Sequence, residues 1–173
     1  ASYDSIIELV DKNTEKVYVK KVCTVVSIDK KFKSATSFPE WWRKKYVNPG
    51  IPKLVVGPCK IPRNSDHVYT MKVLWNDIDD LGHTNFVAYT RFCFDAAMDA
   101  VNQDKFSYFS RDIFLYNTRE MESLYRGESK AGDELVITCW ENEDDPWILH
   151  FDIKKDSETI FQATIKFYEQ SLF

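Results

Sequence analysis

The residues of this sequence that are best suited to acid–base or nucleophilic chemistry lie together in one short polar stretch. Residues 77–85, named here the aspartate loop, contain three carboxylates, one imidazole and one amide, on Asp77, Asp79, Asp80, His83 and Asn85. Carboxylates and imidazoles act as nucleophiles or general bases. An apolar stretch begins directly after the loop, and the N-terminus of a helix there would offer N–H groups and a partial positive charge. The sequence thus gathers a carboxylate, an imidazole and helix N–H donors at one spot.

The apolar stretch after the aspartate loop predicts a long helix over roughly residues 85–101. Apolar side chains cover most of its circumference, and a polar stripe is marked only by Arg91, Asp95 and Asp99, with Asn102 beyond them. A helix with apolar residues nearly all round is buried on most of its surface. We therefore expect this helix at the centre of the fold.

Alternating apolar and polar residues predict the strands that surround this helix. The C-terminal part contains five such segments, at residues 68–75, 113–123, 134–141, 147–153 and 159–169. In the N-terminal part, strands at residues 5–10 and 17–28 form a hairpin, and a short helix follows at residues 39–46. Five strands and one helix predict an α+β fold in which a sheet packs on the helix.

At the aspartate loop the sequence resembles a known family. The order W-x-D-x-D-x-x-G-H-x-N before an apolar helix, from Trp75 to Asn85, is similar to the acyl-CoA thioesterase branch of the hotdog-fold superfamily, the group resembling 4-hydroxybenzoyl-CoA thioesterase. The resemblance runs from about residue 68 to residue 168. It implies an antiparallel sheet wrapped around one long central helix, with an extra hairpin at the N-terminus. It also implies hydrolysis of an acyl thioester, an acyl-CoA or a related compound, with no cofactor and no metal.

The same resemblance assigns roles to individual residues. Asp79, the second aspartate of D-x-D, is the expected nucleophile or the base that activates water. The backbone N–H of Phe86 is the expected donor to the oxyanion, and His83 and Asn85 complete the catalytic set. The residues expected to bind substrate are Trp75, Gly82 and Tyr89.

Each of these residues also has a structural interpretation. Asn85 precedes a helix and is a good N-cap, Asp77 is expected to brace the turn, and Asp80 is expected to be solvated. The sequence also departs from its relatives. The plant acyl-carrier-protein thioesterases carry Asn where this chain has Leu81, and many relatives carry Asn where it has Phe86. The alternative function is therefore a hotdog protein with little or no activity that binds an apolar small molecule, such as a lipid or pigment, or a partner chain.

The N-terminal residues 1–62, a hairpin and a linker, precede a predicted hotdog domain at residues 63–173. Their pattern of strand, charged turn and strand repeats weakly in residues 147–161. They are either the tail of a preceding hotdog unit or an N-terminal extension, and both interpretations remain open. A single hotdog unit leaves a sheet edge open, so we expect a homodimer or pairing with another hotdog chain.

Composition excludes several other classes of function. The net charge is −4 and the isoelectric point is about 5.4, which argues against a nucleic-acid partner. No apolar run is long enough to span a membrane, and no signal peptide is visible, although the chain begins at Ala1 without Met. We expect a cytoplasmic protein, with an organellar or secreted location after processing as the alternative. The scattered cysteines, expected to be buried free thiols rather than zinc ligands, are Cys23, Cys59, Cys93 and Cys139.

Overall fold

The computed structural model describes residues 2–29, 34–47, 65 and 67–169 of the 173-residue chain, with the backbone alone at residues 2, 3 and 25. The chain forms two compact units, Ala1–Val55 and Val56–Phe173. The linker predicted near the end of residues 1–62, and the domain boundary predicted after it, lie outside the described residues.

The N-terminal unit is built on an antiparallel hairpin in which β1 (Ser2–Val10) pairs with β2 (Val17–Val26). Its turn is held by Asp11, whose carboxylate accepts the backbone N–H groups of Thr14 and Asn13, both at 2.8 Å. These bonds favour the charged form of the carboxylate and lower the pKa of Asp11. The hairpin predicted from the alternating pattern is therefore present, with a turn stabilised by its own first residue.

The other elements of this unit are short. β3 (Ile28–Asp29) pairs with β4 (Ser34–Ala35), and α1 covers Glu40–Tyr46. The strand predicted over residues 17–28 is divided, because Ser27 separates β2 from β3. Large apolar side chains of the hairpin are exposed, including Ile7, Leu9, Tyr18 and Val19. An isolated two-stranded hairpin is marginally stable in water. An exposed apolar surface of this kind is typical of an interaction surface.

The second unit is an antiparallel sheet packed on one long helix. The helix α2 spans Phe86–Asn102, and the strands are β5 (His67–Lys72), β6 (Thr118–Tyr125), β7 (Glu134–Glu141), β8 (Ile148–Lys155) and β9 (Glu158–Phe167). The strand order is β5-β7-β8-β9-β6, so β5 before the helix and β6 after it lie at opposite edges of the sheet. The helix contacts β5, β7 and β9, which places it across the sheet. This is the predicted arrangement of an antiparallel sheet and a central helix.

The core lies between the sheet and one face of α2. Every second residue of the three inner strands is buried, namely Leu135, Ile137, Cys139, Leu149, Phe151, Ile153, Phe161, Ala163 and Ile165. The helix residues buried against them are Tyr89, Phe92, Cys93, Ala96, Ala97, Ala100 and Val101. Each large side chain buried here stabilises the fold by about 1.5–3 kcal/mol, so this face holds the helix in place.

The burial of α2 is less complete than the sequence predicted. Phe86 and Val87 are exposed, and Phe94 and Met98 are only partly buried. The described sheet covers one side of the helix, so the apolar residues on its other side keep contact with solvent within this chain.

Two predicted strands are wrong at one end. The strand predicted at residues 68–75 stops at Lys72, and Trp75–Asp77 is a 3₁₀ turn. The strand predicted at residues 113–123 likewise begins as the 3₁₀ turn Ile113–Leu115, and β6 follows it. In both places an aspartate accepts a nearby backbone N–H, from Leu74 to Asp77 and from Phe114 to Asp112. Such local bonds compete with strand pairing.

Candidate functional site

The aspartate loop is a tight turn that leads directly into α2. Ile78 and Thr84 form an antiparallel bridge across its base. Within the bridge, the N–H of Asp79 donates to the carbonyl of His83 and the N–H of Gly82 donates to the carbonyl of Asp79, each at 2.9 Å. Gly82 has a φ of 77°, a left-handed conformation that glycine adopts without strain. The loop is thus fixed by its own backbone at the N-terminus of the helix.

Asp79, the predicted nucleophile or base, is half-buried at the start of this turn, while Asp80 beside it is exposed, as predicted. Oδ1 of Asp79 accepts the backbone N–H of Leu81 at 2.9 Å, which braces the turn. No described residue donates to its Oδ2. The carboxylate therefore combines a bracing contact with a second oxygen that can act on a water molecule or a carbonyl carbon.

The residues at the two ends of the loop make structural contacts. Asp77 is buried, and its carboxylate accepts N–H groups from the Arg91 guanidinium and the Leu74 backbone. Asn85 is the N-cap of α2, since its side chain accepts the N–H of Val87 at 2.9 Å. These contacts agree with the bracing role predicted for Asp77 and with the capping interpretation of Asn85. The catalytic role of Asn85 stays a prediction.

His83 is paired with a residue that the sequence did not single out. Its Nε2 lies 3.1 Å from Oε2 of Glu128, with the His83 side chain 25% exposed and that of Glu128 55% exposed. Glu128 follows β6 in a segment without a motif, so no local pattern identifies it. A carboxylate beside an imidazole fixes the orientation of the ring. The pair gives the site an oriented imidazole next to the turn that contains Asp79.

The three predicted substrate-binding residues lie in different environments. Trp75 is 84% exposed and Gly82 is exposed, so both are at the surface of the chain. Tyr89 is buried, and its hydroxyl hydrogen-bonds to Ser129 Oγ at 2.9 Å. Its ring stacks on Phe161 with 5.2 Å between the centroids. A contact between Tyr89 and substrate would need this packing to open, so its position fits an internal brace better.

Exposed apolar side chains border the aspartate loop. They are Leu74, Trp75, Leu81, Phe86 and Val87. Tyr125, at the end of β6, borders the same region, and its hydroxyl donates to the carbonyl of Phe86 at 3.0 Å. Burial of the phenol raises the pKa of Tyr125, so its hydroxyl remains a donor at neutral pH. The polar loop is thus surrounded by a surface on which an apolar group could rest.

The remaining histidines make contacts outside the loop. His67 pairs with Asp99 at 2.6 Å, and His150 contacts the side chains of Asn142 and Thr164. The cysteines of the described part form no disulfide bonds, with Cys93 and Cys139 buried and Cys23 only half-buried. The described residues contain no cluster of histidine, cysteine and carboxylate side chains that could hold a metal ion. Nor does any helix in that part have the length and hydropathy needed to cross a membrane.

Comparison with known proteins gives matches in structure alone. No protein-family model matches the sequence, and no curated protein matches it. Among solved structures, the 12:0-ACP thioesterase from Umbellularia californica superposes with a TM-score of 0.70 at 15% identity, over 98% of this chain and 63% of that one. An acyl-ACP thioesterase from Bacteroides thetaiotaomicron gives a TM-score of 0.63 at 22% identity, over 96% and 63%. A probable thioesterase from Bartonella henselae gives 0.51 at 14% identity, over 58% and 88%.

These similarities, together with the strand order and the central helix, establish that the chain has the hotdog fold, as the motif predicted. The chain spans less than two-thirds of the length of each of the first two structures. Fold alone does not define function, which must be argued from the aspartate loop and its surroundings.

Proposed function

We propose that this protein hydrolyses acyl thioesters at the aspartate loop. The observation that carries the proposal is the contact of His83 with Glu128 beside the turn that contains Asp79, at the N-terminus of α2. A carboxylate, an oriented imidazole and a helix N-terminus are the parts that acyl transfer to water needs.

The reaction follows from the chemistry of these groups. Asp79 takes a proton from water as the water oxygen bonds to the thioester carbon. In the alternative route its own oxygen attacks that carbon and expels the thiolate, and water then hydrolyses the resulting anhydride. The negative charge that develops on the carbonyl oxygen is stabilised by the backbone N–H of Phe86, where the helix dipole favours an anion. The C–S bond then breaks, His83 donates a proton to the departing thiolate, and the proton taken by Asp79 passes to His83 to restore both groups. The carboxylate of Glu128, 3.1 Å from Nε2, holds the imidazole in a fixed orientation for this step.

The substrate class follows from the surroundings of the loop. The exposed apolar side chains beside it suit the acyl chain of a fatty acyl thioester. Two of the structural neighbours are named as acyl-ACP thioesterases, which supports an acyl carrier protein as the thiol, and the motif's resemblance makes coenzyme A the alternative. A cytoplasmic location stays a prediction.

We also propose that residues 1–62 are the tail of a preceding hotdog unit. We further propose that the C-terminal unit pairs with another hotdog unit, which belongs either to a second copy of this chain or to a separate hotdog chain. The exposed apolar hairpin supports this, as does the unburied flank of α2. The two acyl-ACP thioesterases match 98% and 96% of this chain, whereas the Bartonella henselae protein matches 58%. Sedimentation tests the pairing, and a 20.3 kDa species at micromolar concentration would refute it.

A second function is favoured by one observation, the exposure of Trp75, Leu81 and Phe86 around the loop. Such a surface would also serve a protein that binds a lipid, a pigment or a partner chain without hydrolysis. Two measurements separate the two functions. Mass spectrometry identifies molecules that co-purify with the protein, and thiol-release assays measure hydrolysis of acyl-CoA and of acylated acyl carrier protein.

The decisive experiment is Asp79→Asn, with Asp80→Asn as its matched control. Asn keeps an oxygen that can accept the Leu81 N–H, so the turn should survive while the charge is lost. We expect thioester turnover to fall about a hundredfold or more, as loss of a nucleophile or general base does. The exposed Asp80 should tolerate the same change. If Asp79→Asn turns over as fast as the parent, Asp79 has only the structural role of bracing the turn. If the parent hydrolyses neither acyl-CoA nor acylated acyl carrier protein, the binding function is favoured.

A further inference from the structure

We propose that Ser129, Thr84 and Tyr89 form a clamp that positions Glu128 against His83. None of the three touches the reacting atoms, so they are positioning residues. The proposal rests on the function proposed above, in which the His83–Glu128 pair takes part in hydrolysis.

Ser129 is the centre of the clamp. It is fully buried, although Glu128 before it is largely exposed. Its Oγ lies 2.7 Å from Thr84 Oγ1 and 2.9 Å from the Tyr89 hydroxyl. Its N–H donates to the same tyrosine hydroxyl at 3.0 Å, and its carbonyl accepts the Thr84 N–H at 2.8 Å and the Thr84 hydroxyl at 3.0 Å. Every polar atom of Ser129 is thus engaged by Thr84 or Tyr89.

The clamp joins the immediate neighbours of the catalytic pair. Thr84 follows His83, and Ser129 follows Glu128, so bonds between Thr84 and Ser129 bring the two preceding residues face to face. Tyr89 adds a connection to the first turns of α2, and its ring stacks on Phe161 of the sheet. The separation of His83 and Glu128 is therefore set by buried bonds next to them.

The other side of Glu128 is fixed as well. The N–H groups of Arg126 and Gly127 both donate to the carbonyl of Ile160, at 2.9 and 3.1 Å. The carbonyl of Glu128 itself accepts Lys155 Nζ at 3.1 Å. The backbone of Glu128 is held from both directions, and only its side chain remains free to adjust.

Such a clamp is needed because the pair cannot position itself. An ion pair between exposed side chains gains little from its own attraction, since water screens the charges and both side chains lose rotamer freedom. With Glu128 more than half exposed, the geometry must come from the backbone. The buried bonds of Ser129 supply it, because a buried polar group that loses its partner is costly.

The kinetic test removes one hydroxyl at a time. Thr84→Val keeps the branched shape of the side chain and loses its hydroxyl, whereas Thr84→Ser keeps the hydroxyl. Ser129→Ala and Tyr89→Phe remove the other two hydroxyls. The matched control is Tyr116→Phe, since Tyr116 is also buried and its hydroxyl accepts the N–H of Ser110 at 3.1 Å, away from the loop.

We expect kcat to fall about tenfold or more in Thr84→Val, Ser129→Ala and Tyr89→Phe, because misplaced catalytic groups lose rate. KM should change little, because the clamp makes no contact with substrate. Thr84→Ser and Tyr116→Phe should stay close to the parent. A Thr84→Val protein that turns over as fast as Thr84→Ser would overturn the proposal.

A second readout needs no substrate. The chain has three histidines, so the imidazole ¹⁵N signals of His83 can be resolved, with His67 and His150 as internal references. Glu128→Gln defines the signals of His83 without its carboxylate partner. In Thr84→Val and Ser129→Ala the His83 signals should move towards those of Glu128→Gln, while Tyr116→Phe should match the parent. Signals unchanged from the parent in both clamp variants would overturn the proposal. If the parent hydrolyses no thioester, the proposed function fails. The spectra alone then test whether the clamp positions Glu128 against His83.

Discussion

Nε2 of His83 lies 3.1 Å from a carboxylate oxygen of Glu128, although one residue is in the loop before α2 and the other follows β6. β6 is an edge strand, so the contact joins the margin of the sheet to the N-terminus of the central helix. An imidazole in this position has a defined orientation beside the Asp79 turn. The contact makes Glu128 the principal residue of the site that sequence reasoning did not find.

Glu128→Gln should lower thioester turnover about tenfold or more while leaving the fold intact. The amide keeps the shape of the side chain but loses the carboxylate charge that holds the imidazole in its orientation. Because exposed ion pairs contribute about 0–1 kcal/mol, the free energy of unfolding should change little. Steady-state kinetics and chemical denaturation measure the two effects. Glu122→Gln, at an exposed position on β6, is the control, and equal losses of turnover in both variants would contradict a specific role for Glu128.

Gly82→Ala and Gly132→Ala should lose similar stability but differ in turnover. Their φ angles are 77° and 93°, and a Cβ at either position meets no atom within 4 Å. Each alanine is therefore strained by its backbone alone, at a cost of about 1–2 kcal/mol. Only Gly82 closes the turn of Asp79, so only Gly82→Ala should impair hydrolysis. Urea denaturation and kinetics on both variants test this, and an equally impaired Gly132→Ala would argue against a special role for the loop.

Gly127→Ala should destabilise the protein by about 1–3 kcal/mol through overpacking. A Cβ at this position would lie 2.9 Å from Cγ2 of Ile160, a buried side chain that is stiff at χ1. A double-mutant cycle with Ile160→Ala isolates the clash, because that change removes the obstructing methyl group. We expect Gly127→Ala to cost clearly less in the Ile160→Ala background. Equal costs in the two backgrounds, measured by chemical denaturation, would place the strain elsewhere.

His150 is held in its neutral form by its neighbours. Oδ1 of Asn142 accepts the N–H groups of Asp144 and Asp145, so its Nδ2 faces His150 at 3.0 Å. Nε2 of His150 must then accept, which assigns the proton to Nδ1, 2.9 Å from the Thr164 hydroxyl. Burial of the ring also lowers the pKa of His150 below its ordinary value of 6.5.

The stability of the protein should therefore depend on pH through His150. As the pH falls below about 6.5, the unfolded chain binds a proton at this residue that the folded protein does not, so the free energy of unfolding decreases. Above that pH the residue has no such effect. His150→Asn keeps a polar group near Thr164 and removes the titration. Urea denaturation at about pH 7.5 and pH 5 should show a smaller loss for the variant, and identical losses would contradict the assignment.

Local patterns in the sequence determined much of the framework. The helix predicted at residues 85–101 is found at Phe86–Asn102, and the strand predicted at residues 134–141 is found at Glu134–Glu141. Both depend on near neighbours, through the periods of 3.6 and 2 and through the N-cap at Asn85. The hotdog fold could be predicted because the motif before the helix resembles that of a known thioesterase family.

Contacts between distant segments were decided by the tertiary structure. Glu128 carries no local signal, and it reaches His83 because β6 pairs with β9 and Ser129, in the segment after β6, bonds to Thr84. Tyr89 and Phe86 both belong to the apolar part of the helix, and only the position of the sheet decides that Tyr89 is buried while Phe86 is exposed. Sequence periodicity reports how residues lie along one element. Which elements meet is set by the free energy of burying apolar faces together, a sum over distant parts of the chain that no single segment contains.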